Sequence, residues 1–335
     1  MMKFIIEKLL EDQDLNQSES KNVMLEIMSG EYDDAQISGF LIALRSKGAK
    51  SEEIAGFAEA MREKMTHIKC IDGAIDMCGT GGDSSGTFNV STAASFVVAA
   101  AGVPVAKHGN RSMTSKSGSA DVLEALGVNI SLSIEDVSEC IEKIGIGFMF
   151  APSLHPAMKH AMGARKSLGV RTVFNVLGPL CNPAGVRRQL MGIYNGDLTE
   201  IVANVFKRLG SINAMIVHGD DGLDEISTTA KTKISHLQNT GEIISESFSA
   251  LEYGFSLASL EDLKGGSPEL NAKIIQDILS GNENGKKTDI VILNAAAGIL
   301  VGGKVESIND GIDVARDMIS SGASMDVLHK LMAVK

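Results

Sequence analysis

Two polar segments carry most of the residues that could do chemistry, and they flank an apolar run. The first is GTGGDSSGTFNVST from Gly79, and the second is KHGNRSMTSKSGSAD, which ends at Asp121. Gly79, Gly81 and Gly82 lack a Cβ, so the backbone can bend sharply and come close to a ligand. The turn Gly79–Asp83 offers N–H groups to phosphate oxygens. Ser91 and Thr92 stand at the start of a helix, where unpaired N–H groups face outward, and Asn89 adds a side-chain donor. Lys107 can set a point charge beside a phosphate. Arg111 and Lys116 add positive charge, and Asn110, Ser112, Thr114, Ser115 and Ser119 complete a polar cradle. This density of donors suits a small molecule with two separated phosphate groups. A pair of ordinary glycine-rich loops is the plain alternative. There is no P-loop and no dinucleotide fingerprint, which argues against a nucleoside triphosphatase and a dehydrogenase.

Asp224 and Glu225 follow an expected strand in GDDGLDEIS. Adjacent carboxylates at a sheet's ligand edge suit Mg²⁺, which takes one or two carboxylates with waters and substrate phosphates. Asp220 and Asp221 lie nearer the loop tip and read as solvated. His108 and His155 have no nearby Asp partner in sequence and read as packing residues rather than bases. No residue stands out as nucleophile, general acid or general base. Electrostatic work falls to Lys107, Asp224 and Glu225, in a reaction run by positioning and charge.

These residues need a scaffold. Residues 1 to about 66 read as helical. Asn16 and Glu19 form a capping box, a second helix starts near Asp34, and Ser51 is placed to cap a third. From Ile75 the pattern becomes strand, loop and helix in repetition, the signature of a mainly parallel sheet with helices on its faces. Both polar segments then lie beyond the carboxyl ends of strands, where such sheets bind ligands. Strands are expected at Val103–Ala106, at GFMFAP, at Met191–Tyr194 and at Ala214–Val217. The acid-free stretch from His155 to about Gly185, with Arg165, Lys166 and Arg171, reads either as a surface helix or as a return to the helical domain. Residues 228–286 are weakly patterned apart from a turn at Asn239–Gly241. Thr288–Leu293 reads as a buried strand followed by a helix, and the C-terminal stretch as two helices.

Composition sets outer limits. The chain has 335 residues, 44% hydrophobic and 4% aromatic, with no Trp and 35 Gly. Its formal net charge of −11 leaves no general basic face for nucleic acid. The four cysteines are widely spaced and follow no ligand pattern, which fits free thiols in a reducing cytoplasm. No apolar run approaches the ~20 residues of a membrane span.

The series GTGGD, NVST, KHGNRSMTSKSGSADVLEALG, ARKSLGVRTVFNVLGPLCNPAG and GDDGLDEIS closely resembles the anthranilate phosphoribosyltransferases of tryptophan biosynthesis, over nearly the whole chain. The resemblance implies an α/β fold: a small all-helical N-terminal domain, residues 1–66, joined by a segment within about 153–185, and a larger domain, residues 72–335, with a mainly parallel central sheet flanked by helices. It implies a homodimer formed through the helical domains. The reaction would join anthranilate to 5-phosphoribosyl 1-pyrophosphate. By matching motif, Gly79, Gly82, Asp83, Thr87, Asn89, Val90, Ser91 and Thr92 would hold the donor, together with Lys107, His108, Gly109, Asn110, Arg111, Ser112, Met113, Thr114, Ser115 and Ser119. Ser91, Asp224 and Glu225 would hold two Mg²⁺ per subunit. Gly79, Asn110 and Arg165 would contact anthranilate, with His108, His155, Met158 and Pro179 walling its path. Thr114 replaces a common Ser and keeps the hydroxyl; Cys181 replaces a common Thr and loses one. Two rivals share the architecture. A pyrimidine nucleoside phosphorylase-like enzyme would need no metal, and a non-catalytic nucleic-acid-binding relative would need a basic groove.

Overall fold

The computed structural model describes residues 1–81, 85–112 and 116–335. The N-terminal helices are α1 (Met2–Leu10), α2 (Gln17–Met28), α3 (Asp34–Lys47) and α4 (Ser51–Lys64). The expected box at α2 is present: Glu19 N donates to Asn16 Oδ1 and Asn16 N to Glu19 Oε2, both at 2.9 Å. Asp33 and Gln36 repeat the device at α3. Helix α4 differs from expectation, because Ser51 is its first residue and not its cap. Glu53 does the capping instead, accepting from Lys50 N at 2.8 Å, and it also takes Lys47 Nζ at 2.9 Å and Leu15 N at 2.9 Å. A buried carboxylate is tolerated there because a cation and two N–H groups replace its water.

Among the described residues the strands form one seven-stranded sheet, ordered β3-β2-β1-β4-β5-β6-β7. β1 (Ile75–Gly79), β2 (Val105–Gly109), β3 (Ile146–Phe150), β4 (Arg188–Gly192) and β5 (Asn213–Gly219) run parallel. β6 (Thr232–Leu237) and β7 (Ile243–Phe248) add an antiparallel hairpin through the turn at Asn239–Gly241. They fall in the weakly patterned region because β7 is an edge strand with an exposed, polar middle, so alternation is faint.

Successive strand residues enter opposite faces. Leu190, Met215 and Val217 join one core, with α5 (Val90–Ala100), α6 (Ser119–Ala125) and the later helices α12 (Pro268–Leu279), α13 (Lys286–Val301), α14 (Ile308–Ser320) and α15 (Ala323–Met332). Met191, Ala214 and Ile216 join the other, with α11 (Thr199–Arg208) and the N-terminal helices. A smaller cluster joins α7 (Ile134–Lys143) to the far face of β2 and β3. The expected strand at Thr288–Leu293 is corrected: those residues are the first half of α13. An apolar run buried on every side has no periodicity to tell helix from strand, and α13 is wrapped by α5, α14 and the sheet.

The acid-free stretch packs against the N-terminal helices. After α8 (Ala151–Leu154) come α9 (Lys159–Leu168) and α10 (Phe174–Leu180). Ala161, Ala164, Phe174 and Leu177 share a core with Phe40 and Phe57 of α3 and α4. Cys181 lies at this contact, its Sγ 3.8 Å from the Ala58 carbonyl of α4.

Candidate active site

From β1 the chain winds outward to β2 and β3, whereas from β4 it winds the other way to β5. The reversal falls between β1 and β4, and it opens a crevice at their carboxyl ends. Gly79 and Gly192 are the last residues of these strands and stand in register with each other. The loop after β5 lies directly across both. A methyl group on Gly79 would sit 2.3 Å from Asp224 Oδ2, and one on Gly192 would sit 1.6 Å from the Asp224 carbonyl oxygen. Only glycine lets the loop come so near. Gly192 escaped the sequence reading, although a glycine ending a strand is a signal of close backbone approach.

Seated there, the two acidic side chains diverge. Asp224 Oδ2 accepts from Gly81 N at 2.8 Å, and Glu225 Oε1 accepts from Ser91 N, at the start of α5, at 3.1 Å. The next residue is held from below. Fully buried Asn294 of α13 accepts from Ile226 N at 2.9 Å and donates to Ile226 O at 3.0 Å. Glu225 thus meets the start of α5 at Ser91 and Asp224 meets the glycine-rich turn at Gly81, each carboxylate oriented by a backbone N–H group. Val90 and Thr92 are buried, 2% and 1% exposed, and the Thr92 hydroxyl has no hydrogen-bond partner among the described residues. By contrast Asp221 organises its own loop, accepting from Ser227 Oγ at 2.6 Å and Leu223 N at 3.1 Å.

Asn89 is gripped from two sides. Its Nδ2 donates to Ser117 O at 3.2 Å, and its Oδ1 accepts from Asn271 Nδ2 of α12 at 3.0 Å. Thr87 is bridged to Lys264, and Gly265 N donates to Gly86 O at 2.9 Å. In the second segment Asp121 is the organiser. Its carboxylate accepts from Ser112 N at 3.0 Å, Gly118 N at 2.9 Å and Arg111 Nη1 at 2.9 Å. Burial works against the charged form, but these donors outweigh it and hold the carboxyl below its ordinary range. Arg111 is exposed and also pairs with Glu124. Ser119 Oγ donates to the carbonyl of Asn110, which is itself exposed. A methyl on Gly109 would collide with Ser119 Oγ at 2.2 Å, so the end of β2 needs its glycine.

Beneath the strand ends lies a buried polar group that the sequence did not announce. Asp76 accepts from His108 N at 3.2 Å and from Asn182 Nδ2 at 2.8 Å. Burial raises its carboxyl to about 6. Lys107 is 2% exposed, and its Nζ donates to Met77 O at 2.7 Å. Burial pulls its ammonium below the usual range, while Asp76, Cys78 and Glu225 act the other way. Its charge therefore sits under the Gly79 turn instead of projecting from it. His108 and His155 meet Nε2 to Nε2 at 3.2 Å. Burial lowers them to about 3 and about 4, so both rings are neutral near pH 7. Their contact ties the end of β2 to the stretch leading into α9. On α9 Arg165 is half-buried, its guanidinium 5.2 Å from the centre of the Phe174 ring. It makes no ion pair among the described residues. Met158 and His155 line a narrow crevice with Met28 and Met61 of the helical domain, and Pro179 O accepts from Gln189 Nε2 at 2.8 Å. Gly82, Asp83, Met113, Thr114 and Ser115 lie outside the described residues.

Comparison with known proteins follows the same division. The Glycosyl transferase family's helical bundle domain matches residues 3–65, and its a/b domain matches residues 72–325. The chain is 53% identical to the anthranilate phosphoribosyltransferase of Acetivibrio thermocellus, covering 99% of this chain and 96% of that protein. It is 50% identical to that of Alkaliphilus metalliredigens, covering 99% and 98%. Among solved structures, the Thermus thermophilus anthranilate phosphoribosyltransferase superposes with a TM-score of 0.93 at 40% identity, covering 98% of each chain. The Saccharomyces cerevisiae enzyme in complex with PRPP and Mg superposes with a TM-score of 0.90 at 29% identity, covering 99% and 96%.

Proposed function

This chain belongs to the anthranilate phosphoribosyltransferase family, and we propose that it transfers the phosphoribosyl group of 5-phosphoribosyl 1-pyrophosphate to the amine of anthranilate. One observation carries the reading: the loop after β5 crosses Gly79 and Gly192, so that Asp224 and Glu225 meet the glycine-rich turn and the start of α5. An acidic pair and a phosphate-binding turn are parts of one site, as a pyrophosphate-releasing reaction requires.

The donor lies along Gly79–Asp83, Thr87, Asn89 and Ser91 and along residues 107–115 with Ser119. Val90 and Thr92 serve through the backbone. Ser91, Asp224 and Glu225 are the residues to hold Mg²⁺, two per subunit. The donor set fits: its oxygens are hard, and two carboxylates leave positions for water and phosphate. Bound there, Mg²⁺ supplies positive charge that stabilises the pyrophosphate as it leaves. Lys107 adds a fixed charge from beneath the turn. Arg165, half-buried and without an acidic partner among the described residues, orients the anthranilate carboxylate, and Gly79 and Asn110 flank the ring. The amine nitrogen bonds to the anomeric carbon as the bond to the pyrophosphate oxygen breaks, and the amine then sheds one proton. Anthranilate's amine is weakly basic and unprotonated near neutral pH, so it attacks without a general base. His108 and His155, buried and neutral, serve as walls.

The same reading divides the chain into a helical domain, residues 1–66 with a segment within 153–185, and an α/β domain, residues 72–335; the core shared by α9, α10 and the N-terminal helices supports it. We also read the enzyme as a homodimer through the helical domains, and as cytoplasmic, which its four unbridged cysteines support. Among the described residues no helix is long and apolar enough to cross a membrane.

Anthranilate is fluorescent, so its consumption can be followed with 5-phosphoribosyl 1-pyrophosphate and Mg²⁺. Loss of fluorescence that EDTA abolishes is the expected result. No consumption, or consumption indifferent to EDTA, would overturn the reading, and cleavage of a pyrimidine nucleoside by phosphate would put the phosphorylase in its place.

A further inference from the structure

We propose that Asn271 is a positioning residue that holds the Asn89 amide away from the N-terminus of α5, so that the first turn of that helix stays open to the diphosphate of the donor. The proposal deepens the phosphoribosyl-transfer reading and rests on it.

Asn89 immediately precedes α5 and stands where a capping residue belongs. Asparagine is among the strongest caps, because its side-chain oxygen accepts from the second or third N–H of the helix. Asn16, Asp33, Ser133, Ser267 and Ser307 occupy the same place before other α-helices, and each accepts from the third N–H of its helix. Asn89 makes no such bond. Its backbone differs as well. The five capped positions have ψ between 159° and 168°. Asn89 has φ −76° and ψ 74°, and Val90 N donates across it to Phe88 O at 2.8 Å. That is an inverse γ-turn. The Thr92 N–H, which a cap would take, makes no hydrogen bond among the described residues, and the hydroxyl of the same residue is buried without a partner there.

The side chain is drawn instead to α12. Asn271 is 2% exposed; its Nδ2 donates to Asn89 Oδ1 at 3.0 Å, and its Oδ1 accepts from Gly266 N at 2.8 Å. The Gly266 N–H can meet only the oxygen of that amide, so Asn271 cannot turn over and must present its N–H to Asn89. The Asn89 oxygen, the atom a cap would use, is therefore occupied. Ser117 holds the same amide more loosely, accepting from Asn89 Nδ2 at 3.2 Å and placing its Oγ 3.4 Å from Asn89 Oδ1. The strap before α12 steadies the γ-turn too. Phe88 N donates to Leu263 O at 3.3 Å, and a methyl group on Gly265 would lie 2.7 Å from Phe88 N. An unpaired N–H at a helix N-terminus attracts an anion, and a side chain that caps it competes with that anion. With Asn89 held aside, the diphosphate meets the first turn of α5 with no cap to displace.

The test is ligand affinity in two backgrounds. Asn271→Leu removes the amide at similar volume and frees Asn89 to turn onto α5. Calorimetry with Mg²⁺ and 5-phosphoribosyl 1-pyrophosphate, and again with Mg²⁺ and pyrophosphate, is expected to find each bound about fivefold more weakly, the weight of one N-cap. The anthranilate KM at saturating donor is expected to stay unchanged. In an Asn89→Ala background no side chain remains to cap α5, so adding Asn271→Leu is expected to weaken neither ligand further. A further loss of similar size in that background would show that Asn271 acts through the Gly266 strap or through general stability, and it would overturn the proposal. So would unchanged ligand binding in Asn271→Leu, or an equal rise in the anthranilate KM. Melting temperatures show whether each variant is folded. If Asn271→Leu is not, Asn271→Ser takes its place, since a serine hydroxyl is too short to reach Asn89. A wild type that binds neither ligand and does not consume anthranilate removes the functional reading and this inference together. An active wild type in which the two substitutions act independently removes only this inference.

Discussion

At the carboxyl edge of the sheet, nearly every placement is made by backbone. Gly79 and Gly192 admit the Asp224 loop, N–H groups of Gly81 and Ser91 aim its carboxylates, and buried amides of Asn271 and Asn294 hold the neighbouring loops. Across the crevice, on α9, α10 and the stretch leading into α9, placement is made by side chains. Arg165 leans on Phe174, and His155 leans on His108. The first construction is stiff and tolerates no added atom. The second rests on contacts that can be removed one at a time. A reaction driven by departure of a polyanion needs its fixed charges on the stiff side. Acceptor choice can be left to the adjustable one.

The sharpest break in this contrast is Gly192→Ala. Its methyl group has nowhere to go but into the Asp224 backbone, so activity is expected to fall about a hundredfold or more, as for misplaced catalytic groups generally. Steady-state rates with both substrates check this, and a loss under tenfold would show that the edge is softer than its geometry implies. Arg165→Ala comes next. Losing a charge-assisted contact should raise the anthranilate KM about thirtyfold while calorimetry finds donor binding nearly unchanged. Equal damage to both substrates would merge the two sides. Asn294→Ala should act like an edge lesion. It strands the Ile226 N–H and carbonyl, which points to about a tenfold rise in the Mg²⁺ needed for half-maximal rate, with anthranilate KM held.

The smallest effect concerns the histidine pair. Burial depresses His108 and His155 from 6.5 to about 3 and about 4, so between those values the unfolded chain binds more protons than the folded one. Their contribution is present above pH 6.5 and is lost as pH falls toward 4. His155→Asn should flatten part of that decline in melting temperature. It should leave the rate profile between pH 6.5 and 8 without a new inflection, since neither ring titrates there.

The two constructions were not equally legible. The edge announces itself through composition: GTGGD, NVST and KHGN are short strings of glycines and hydroxyls, and their chemistry can be read residue by residue. The capping box at Asn16–Glu19 and the turn at Asn239–Gly241 were legible for the same reason, since each is a contact within a few residues. Asn271, Asn294 and Asn182 were not, because a single asparagine in an apolar helix or strap carries no mark of what its amide will meet. The strand expected at Thr288–Leu293 failed on periodicity, which disappears once every face of a helix is buried.

What the sequence determined by itself was local chemistry: which turns could bend, which helices could start, and which strings of donors matched a known family. What only the tertiary structure decided was convergence. Asp224 meets Gly81, Glu225 meets Ser91 and Arg45 meets Arg171 across more than a hundred residues of chain. Such pairs are chosen by how the sheet reverses between β1 and β4 and by how closely a loop can lie on glycine. Neither quantity is a property of any short segment. Both follow from packing, which sums weak terms over the whole chain.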